Sequence, residues 1–231
     1  MAWDVIAAHG PAFAHGVAVC LGLLSISLAT GFVLSLPLAV ARASHRDALA
    51  RPVALFTYVV RGTPLLVQLF IVYYGLAQFA AVRHSIAWPL LREPWFCAWL
   101  AFSINTTAYT TEIFAGALKA APPGEVEAAR ACGLAGAALY RRILLPAALR
   151  RALPQYSNEV VGLMHATAIA STVTLVDVTR VARDLYANHL LPVEAFGSAA
   201  VIYFSLTFAL LGLFRLAERR WLRHLRPAAA T

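Results

Sequence analysis

The sequence predicts an all-α, polytopic membrane protein with five transmembrane helices, and three observations carry that prediction. Only 13% of the 231 residues are charged and 61% are hydrophobic, whereas a soluble domain carries ~25% charge. Five runs, residues 16–41, 62–82, 95–111, 160–176 and 195–214, contain no Asp, Glu, Lys or Arg. A helix needs roughly 17–25 apolar residues to cross a bilayer. Finally, none of the runs alternates apolar and polar residues as a barrel strand does, and in lipid only helices and closed barrels satisfy every backbone group.

The first fifteen residues hold Asp4 but no Lys or Arg, and the run after them is too long for the apolar core of a signal peptide. The first helix is therefore expected to remain in the mature protein. A short basic turn, residues 42–51, follows it. Pro52 and Pro64 bracket the start of helix two, and Arg61-Gly62-Thr63-Pro64 predicts a local bend. Trp88, Pro89, Pro94 and Trp95 mark an outer loop around residues 83–94, where indole rings favour the membrane interface. Helix three is expected to end near Gly116. A polar module fills residues 119–149, and helix four spans roughly residues 152–176. About eighteen outer residues lead to helix five and a basic tail. There is no inverted repeat of the kind that marks secondary transporters, so residues 1–231 are read as one domain.

Charge placement orients the chain. Arg42, Arg46 and Arg51 lie between helices one and two. Lys119, Arg130, Arg141, Arg142, Arg150 and Arg151 lie between helices three and four. Arg215, Arg219, Arg220, Arg223 and Arg226 follow helix five. The opposite loops hold only Arg83, Arg92, Arg180 and Arg183. The positive-inside rule puts the richer segments in the cytoplasm, the N-terminus outside and the C-terminus inside. Topology thus accounts for the net charge of +8, and no nucleic-acid role is left to explain. Cys20, Cys97 and Cys132 are scattered and lack metal-type spacing, so neither a disulfide nor a metal site is expected.

The polar module has the pattern of a docking element. Pro122-Pro123-Gly124 cannot continue helix three, and Pro123 suits the first turn of a new helix. Glu125 and Glu127 fall near that helix's positive end, while Ala128 and Ala129 are small enough to let another surface approach. Gly133 allows a left-handed exit from the helix. Tyr140 to Leu145 is expected to form a second short helical piece, ended by Pro146.

This spacing resembles the "EAA" loop of permease subunits in bacterial ABC importers, matching it at Glu127, Ala128, Ala129, Gly133, Ile143, Leu145 and Pro146. The stretches Arg61-Gly62-Thr63-Pro64-Leu65, Tyr109-Thr110-Thr111-Glu112-Ile113, Tyr156-Ser157-Asn158-Glu159-Val160 and Ala217-Glu218-Arg219-Arg220-Trp221 are similar to the polar amino acid branch. Within it they look most like the M-type membrane subunits of histidine/lysine/arginine/ornithine importers, with opine importers nearly as similar. The resemblance covers almost the whole chain from residue 15. It implies a type I importer permease fold in the bacterial inner membrane, whose coupling helices lie in a groove of an ATP-binding subunit. It also implies a second, similar permease chain, two ATP-binding subunits and a periplasmic solute-binding protein. Some relatives use two copies of one chain, so a homodimer is the alternative to a heterodimer. The sequence contains no Gly-x-x-x-x-Gly-Lys-Ser/Thr phosphate loop. The chain is therefore expected to be non-catalytic and without a cofactor, ATP and Mg being bound by the partner.

Charges inside spanning segments cost at least ~2.5–3.5 kcal/mol and mark pathways or paired sites. Glu159 leads a small or mildly polar stripe of Gly162, Ala166, Thr167 and Ala170 at helical spacing. Asn105, Tyr109, Glu112 and Gly116 share a face of helix three. Glu159 is read either as a substrate or gating group, or as one half of an internal pair or a snorkelling side chain. Glu112, nearer the cytoplasm, is read equally as structural. Arg61 has three readings: contact with a substrate carboxylate, a pair with either glutamate, or a reach to the inner headgroups. His165 is expected to pack in the core. Ser171, Thr172 and Thr174 either line the path or bond their own helix. The competing functional class is a self-sufficient ion-coupled amino acid carrier or channel, which would leave the module at residues 119–149 without a role.

Overall fold

In a computed structural model, residues 2–221 are described and form helices joined by short turns, with no strand among them. Arg223, Arg226 and the C-terminal alanines lie outside the described residues. The chain begins with α1 (Ala2–Ala8) and α2 (Gly10–Ala43). α3 (Asp47–Arg61) is followed by α4 (Leu65–Phe70), which continues as a π turn over Ile71–Gly75 and a 3-10 turn over Leu76–Gln78. Two outer turns, α5 (Ala80–Arg83) and α6 (Trp88–Leu91), precede α7 (Pro94–Lys119). Then come α8 (Pro123–Ala131), α9 (Gly136–Leu139), α10 (Leu145–Ala166), α11 (Val178–His189) and α12 (Pro192–Trp221).

α2 and α12 are each long and apolar enough to cross a bilayer, and two bent pairs meet the same test together. One is α3 with residues 65–78, bent by 97°, and the other is residues 136–173 with α11, bent by 50°. α7, 26 residues and about 39 Å long at the helical rise, is long enough for a fifth crossing, although it is less apolar than these four. It is the most buried helix and packs along α2, α3 and α10.

Four boundaries differ from the sequence expectation. The basic turn at residues 42–51 is shorter, because Asp47 to Arg51 already form the first turns of α3, with an Asp47–Arg51 ion pair one turn apart at 2.5 Å. Pro52 lies inside that helix rather than before it. The piece expected at Tyr140–Leu145 does not stop at Pro146. α9 runs through a π turn over Tyr140–Leu144 straight into α10. Proline lacks the N–H that a regular turn requires, and the widened turn before it lets the helix pass. Finally, the outer segment after helix four contains α11, whose Val178, Val181, Ala182 and Leu185 are buried against Phe13, Cys20 and Ala195. Its signals in the sequence are Asp177 at the N-cap and apolar residues at i, i+3, i+4 and i+7, and in the fold the Asp177 side chain accepts the Arg180 N–H at 2.7 Å.

The contact of α2 with α11 depends on a missing side chain. A Cβ at Gly16 would stand 2.8 Å from the Val178 backbone nitrogen and 2.9 Å from the Asp177 carbonyl carbon, and backbone there has no room to yield. Gly16→Ala is expected to destabilise the protein by about 1–3 kcal/mol. Gly22→Ala, on the same helix with open space around it, is expected to be neutral or stabilising by about 0.5–1 kcal/mol. Thermal unfolding of the purified protein in detergent compares them; equal midpoints would overturn the packing assignment.

Candidate functional site

The site is built at the break after α3. Gly62, Thr63 and Pro64 turn the chain, and the break leaves backbone carbonyls without helical partners. Gln68 collects them: its amide nitrogen donates to the Val60 carbonyl at 2.7 Å, the Thr63 carbonyl at 3.1 Å and the Thr63 hydroxyl at 2.8 Å. Its carbonyl accepts from the Asn105 amide of α7 at 3.1 Å. Gln68 therefore fixes the bend and ties it to the central helix. It was not singled out in the sequence, although an amide within an apolar run is a signal of buried polar work.

Arg61, the last residue before the bend, lines three adjoining cavities. The first, about 500 Å³, lies between the bend, Asn105 and Tyr109 of α7, and Glu159, Gly162 and Ala166 of α10. The second, about 560 Å³, continues past Tyr109 to Glu112 and Gly116, with Gln155, Asn158 and Glu159 opposite. The third, about 420 Å³, reaches Arg42, Thr57 and Glu112. Each volume falls in the range of small-molecule sites. Asn105, Tyr109, Glu112 and Gly116 thus do share one wall, and Glu159, Gly162 and Ala166 form the facing one.

The charges in these cavities are not equivalent. Glu112 accepts from the Arg42 guanidinium at 2.8 Å and from the Thr57 hydroxyl at 2.6 Å, so it is neutralised by α2 and held by α3. Arg61 lies over the Tyr109 ring, 5.1 Å from its centroid, a cation–π arrangement. Neither Arg61 nor Glu159 forms an ion pair among the described residues. The first cavity therefore presents one cation and one carboxylate, each with capacity for a ligand. Among the described residues, no three His, Cys, Asp or Glu side chains come together to hold a metal ion.

The polar stripe ends sooner than the sequence implies. From Thr167 to Val173 the helix tightens to a 3-10 coil, whose three-residue turn brings i and i+3 onto one line. Thr167, Ala170 and Val173 consequently face the core and are fully buried. The Thr167 hydroxyl donates to the Met164 carbonyl at 2.6 Å. Thr174, left-handed with φ of 70°, ends the coil in an exposed position, and neither threonine lines the cavities. Ser171 and Thr172 bond carbonyls of their own helix at 2.8 and 2.7 Å, and Arg183 also donates to Ser171. His165 is exposed rather than packed in the core, and its Nε2 meets the Thr207 hydroxyl of α12 at 2.9 Å.

The module at residues 119–149 folds back on the ends of α2, α7 and α10. α8 closes with the Gly133 N–H bonded to the Arg130 carbonyl at 2.9 Å and the Leu134 N–H to the Ala129 carbonyl at 3.0 Å. Gly133 has φ of +80°, and this paired pattern is the Schellman ending. Ala129 does not face outward as expected from its small size: it is buried with Leu118, Leu139, Leu144 and Ala39. Ile143 and Leu145 pack against the same cluster. Glu127, Ala128, Gly133 and Pro146 remain exposed.

Comparison with known proteins fits this geometry. The family described as "binding-protein-dependent transport system inner membrane component" matches residues 19–223. The histidine/lysine/arginine/ornithine transport system permease protein HisM of Escherichia coli (strain K12) is 47% identical over 93% of this chain and 90% of its own. The octopine transport system permease protein OccM of Rhizobium meliloti is 47% identical over 88% and 83%. Among solved structures, an amino acid ABC transporter crystallised with histidines matches with a TM-score of 0.81 and 31% identity, covering 93% of this chain and 96% of that one. An inward-facing structure of the MetNI methionine ABC transporter shares the fold, with a TM-score of 0.76 at 18% identity over 95% and 98%.

Proposed function

This chain belongs to the binding-protein-dependent transport system inner membrane components, and on that premise we propose that it is the permease subunit of an ATP-driven amino acid importer. The substrates are basic amino acids, with histidine, lysine, arginine and ornithine foremost and opines as the related class, in keeping with the named transport systems of the relatives. The observation that carries this reading is the pairing of Arg61 and Glu159 across one cavity. An amino acid brings a carboxylate and at least one ammonium, and these two side chains are complementary to both. Charge-assisted hydrogen bonds replace the water that the solute loses on entering the membrane. Asn105 adds an amide to the wall, Tyr109 supports Arg61, and Glu112 sits with Arg42 at the next stage of the path. Thr167 and Thr174 lie off it.

In this reading residues 1–231 act as one permease domain with the N-terminus in the periplasm and the C-terminus in the cytoplasm. A second homologous permease completes the path, as a heterodimer or with another copy of this chain. A periplasmic binding protein delivers the solute, and two ATP-binding subunits hold ATP and Mg. The chain itself is non-catalytic and carries no cofactor. Glu127 and Ala128 meet the ATP-binding subunit, Gly133 sets the turn, and Ala129, Ile143, Leu145 and Pro146 hold the loop to the helices that move. Closure of the ATP-binding subunits displaces the loop, and α7 and α10 redirect the cavity from one side to the other.

Proteoliposomes test the proposal. With the two permease chains alone, uptake of labelled arginine or histidine is expected to stay at background, and adding the ATP-binding subunit, ATP and loaded binding protein restores it. Uptake by the permease chains alone, driven by an ion gradient, would overturn the proposal in favour of a self-sufficient carrier.

A further inference from the structure

Arg151 stands outside the cavities yet links α10 to the end of α7 and to α8. It lies in the second turn of α10. Its Nε donates to the Ala117 carbonyl near the end of α7 at 3.4 Å, and its Nη1 lies 3.7 Å from a Glu125 carboxylate oxygen in the first turn of α8. Its Nη2 is buried and has no hydrogen-bond partner among the described residues. Of the ion pairs among the described residues, this is the one that joins the module at residues 119–149 to a spanning helix.

The two halves of that module are held differently. α9 runs through its π turn into α10 without interruption, so any movement of the second half is already a movement of α10. α8 hangs from α7 by residues 120–122 and leaves through the turn at Gly133. Beyond these turns α8 is held by the apolar packing of Val126 and Ala129, a contact without fixed direction, and a directional polar tie would pass its displacement on without slip. We propose that Arg151 is the positioning residue that supplies this tie, clamping α8 to both α7 and α10. A displacement of α8 then reaches both walls of the Arg61–Glu159 cavity as one movement. α10 carries Glu159 eight residues beyond Arg151, about 12 Å along the helix axis. α7 carries Glu112 and Tyr109 on the far side of Ala117.

A planar guanidinium suits the task because its fork can hold a carbonyl and a carboxylate in fixed directions, which an ammonium cannot. The long 3.7 Å pair and the unfilled Nη2 leave slack that is taken up when α8 moves.

The inference rests on the chain being driven by a separate ATP-binding subunit, and the test separates the two. The complete transporter is reconstituted with loaded binding protein, and solute imported per ATP hydrolysed is measured. Glu125→Gln, at a half-exposed position that does not threaten folding, and Arg151→Gln are each expected to lower that ratio at least fivefold while the ATP-binding subunit stays attached and hydrolyses ATP. The double variant is expected to be no worse than either single one, and Arg151→Lys to fall between. An unchanged ratio for Glu125→Gln, or losses that multiply in the double variant, would overturn the clamp. If Arg151→Gln does not assemble, Glu125→Gln alone decides. Import by the unaltered chain without any ATP-binding subunit would instead overturn the parent proposal.

Discussion

Glu159→Gln is expected to lower uptake of a cationic amino acid by about 10- to 150-fold at unchanged membrane level, the equivalent of the roughly 1.5–3 kcal/mol carried by a hydrogen bond to a charged group. The amide keeps the size of the side chain and its place on α10 beside Gly162 and Ala166, so packing is undisturbed and the loss reports charge alone. Among the described residues Glu159 has no ion pair to satisfy, and the amide oxygen of glutamine can still accept from a neighbouring hydroxyl. Labelled arginine and a neutral amino acid such as glutamine, compared in vesicles holding the complete transporter, give the readout. The loss should be larger for arginine. Normal arginine uptake at normal expression would exclude Glu159 from the path.

Glu112 is expected to behave in the opposite way. Glu112→Leu strands the Arg42 guanidinium and the Thr57 hydroxyl, which bind it at 2.8 and 2.6 Å, where three helices meet. Removing one partner of this partly buried ion pair is expected to cost about 1–3 kcal/mol, because the remaining charge stays partly desolvated without compensation. Arg42→Met/Glu112→Leu removes both charges and is expected to recover most of that loss. Thermal midpoints of the purified single and double variants check this. A double variant that unfolds as early as Glu112→Leu would show that the carboxylate acts through something other than Arg42.

The two glutamates illustrate what the sequence can and cannot separate. Both interrupt apolar runs in the same manner, and both were read as path or pair. Their difference lies in Arg42, seventy residues away from Glu112 along the chain. No local pattern announces that pairing, since it depends on α2 and α7 lying side by side. The module at residues 119–149 is legible for the opposite reason. Pro123, Glu127, Gly133 and Pro146 act within a few residues of themselves, through missing donors, a positive φ and the helix dipole. Its inner and outer faces were less legible. Ala128 and Ala129 look alike in sequence, yet one is exposed and the other buried against Leu118 and Leu144.

Backbone register explains the remaining misses. The stripe from Glu159 was extended at 3.6 residues per turn to Thr167 and Ala170, but the coil tightens at Thr167 and both turn into the core. Pro146 was taken as a stop, although the preceding π turn lets the helix continue through it. Short-range deviations of this kind are decided by the neighbouring helices, which favour one register over another by packing.

By itself the sequence determined membrane residence, helical class and the position of the polar module between helices, because each follows from composition or from contacts within a few residues. The tertiary structure alone decided which carboxylate is neutralised, which threonines leave the path, and that Arg61 and Glu159 share a cavity. Those outcomes depend on contacts between residues distant in the chain, and such contacts exist only once the helices have packed.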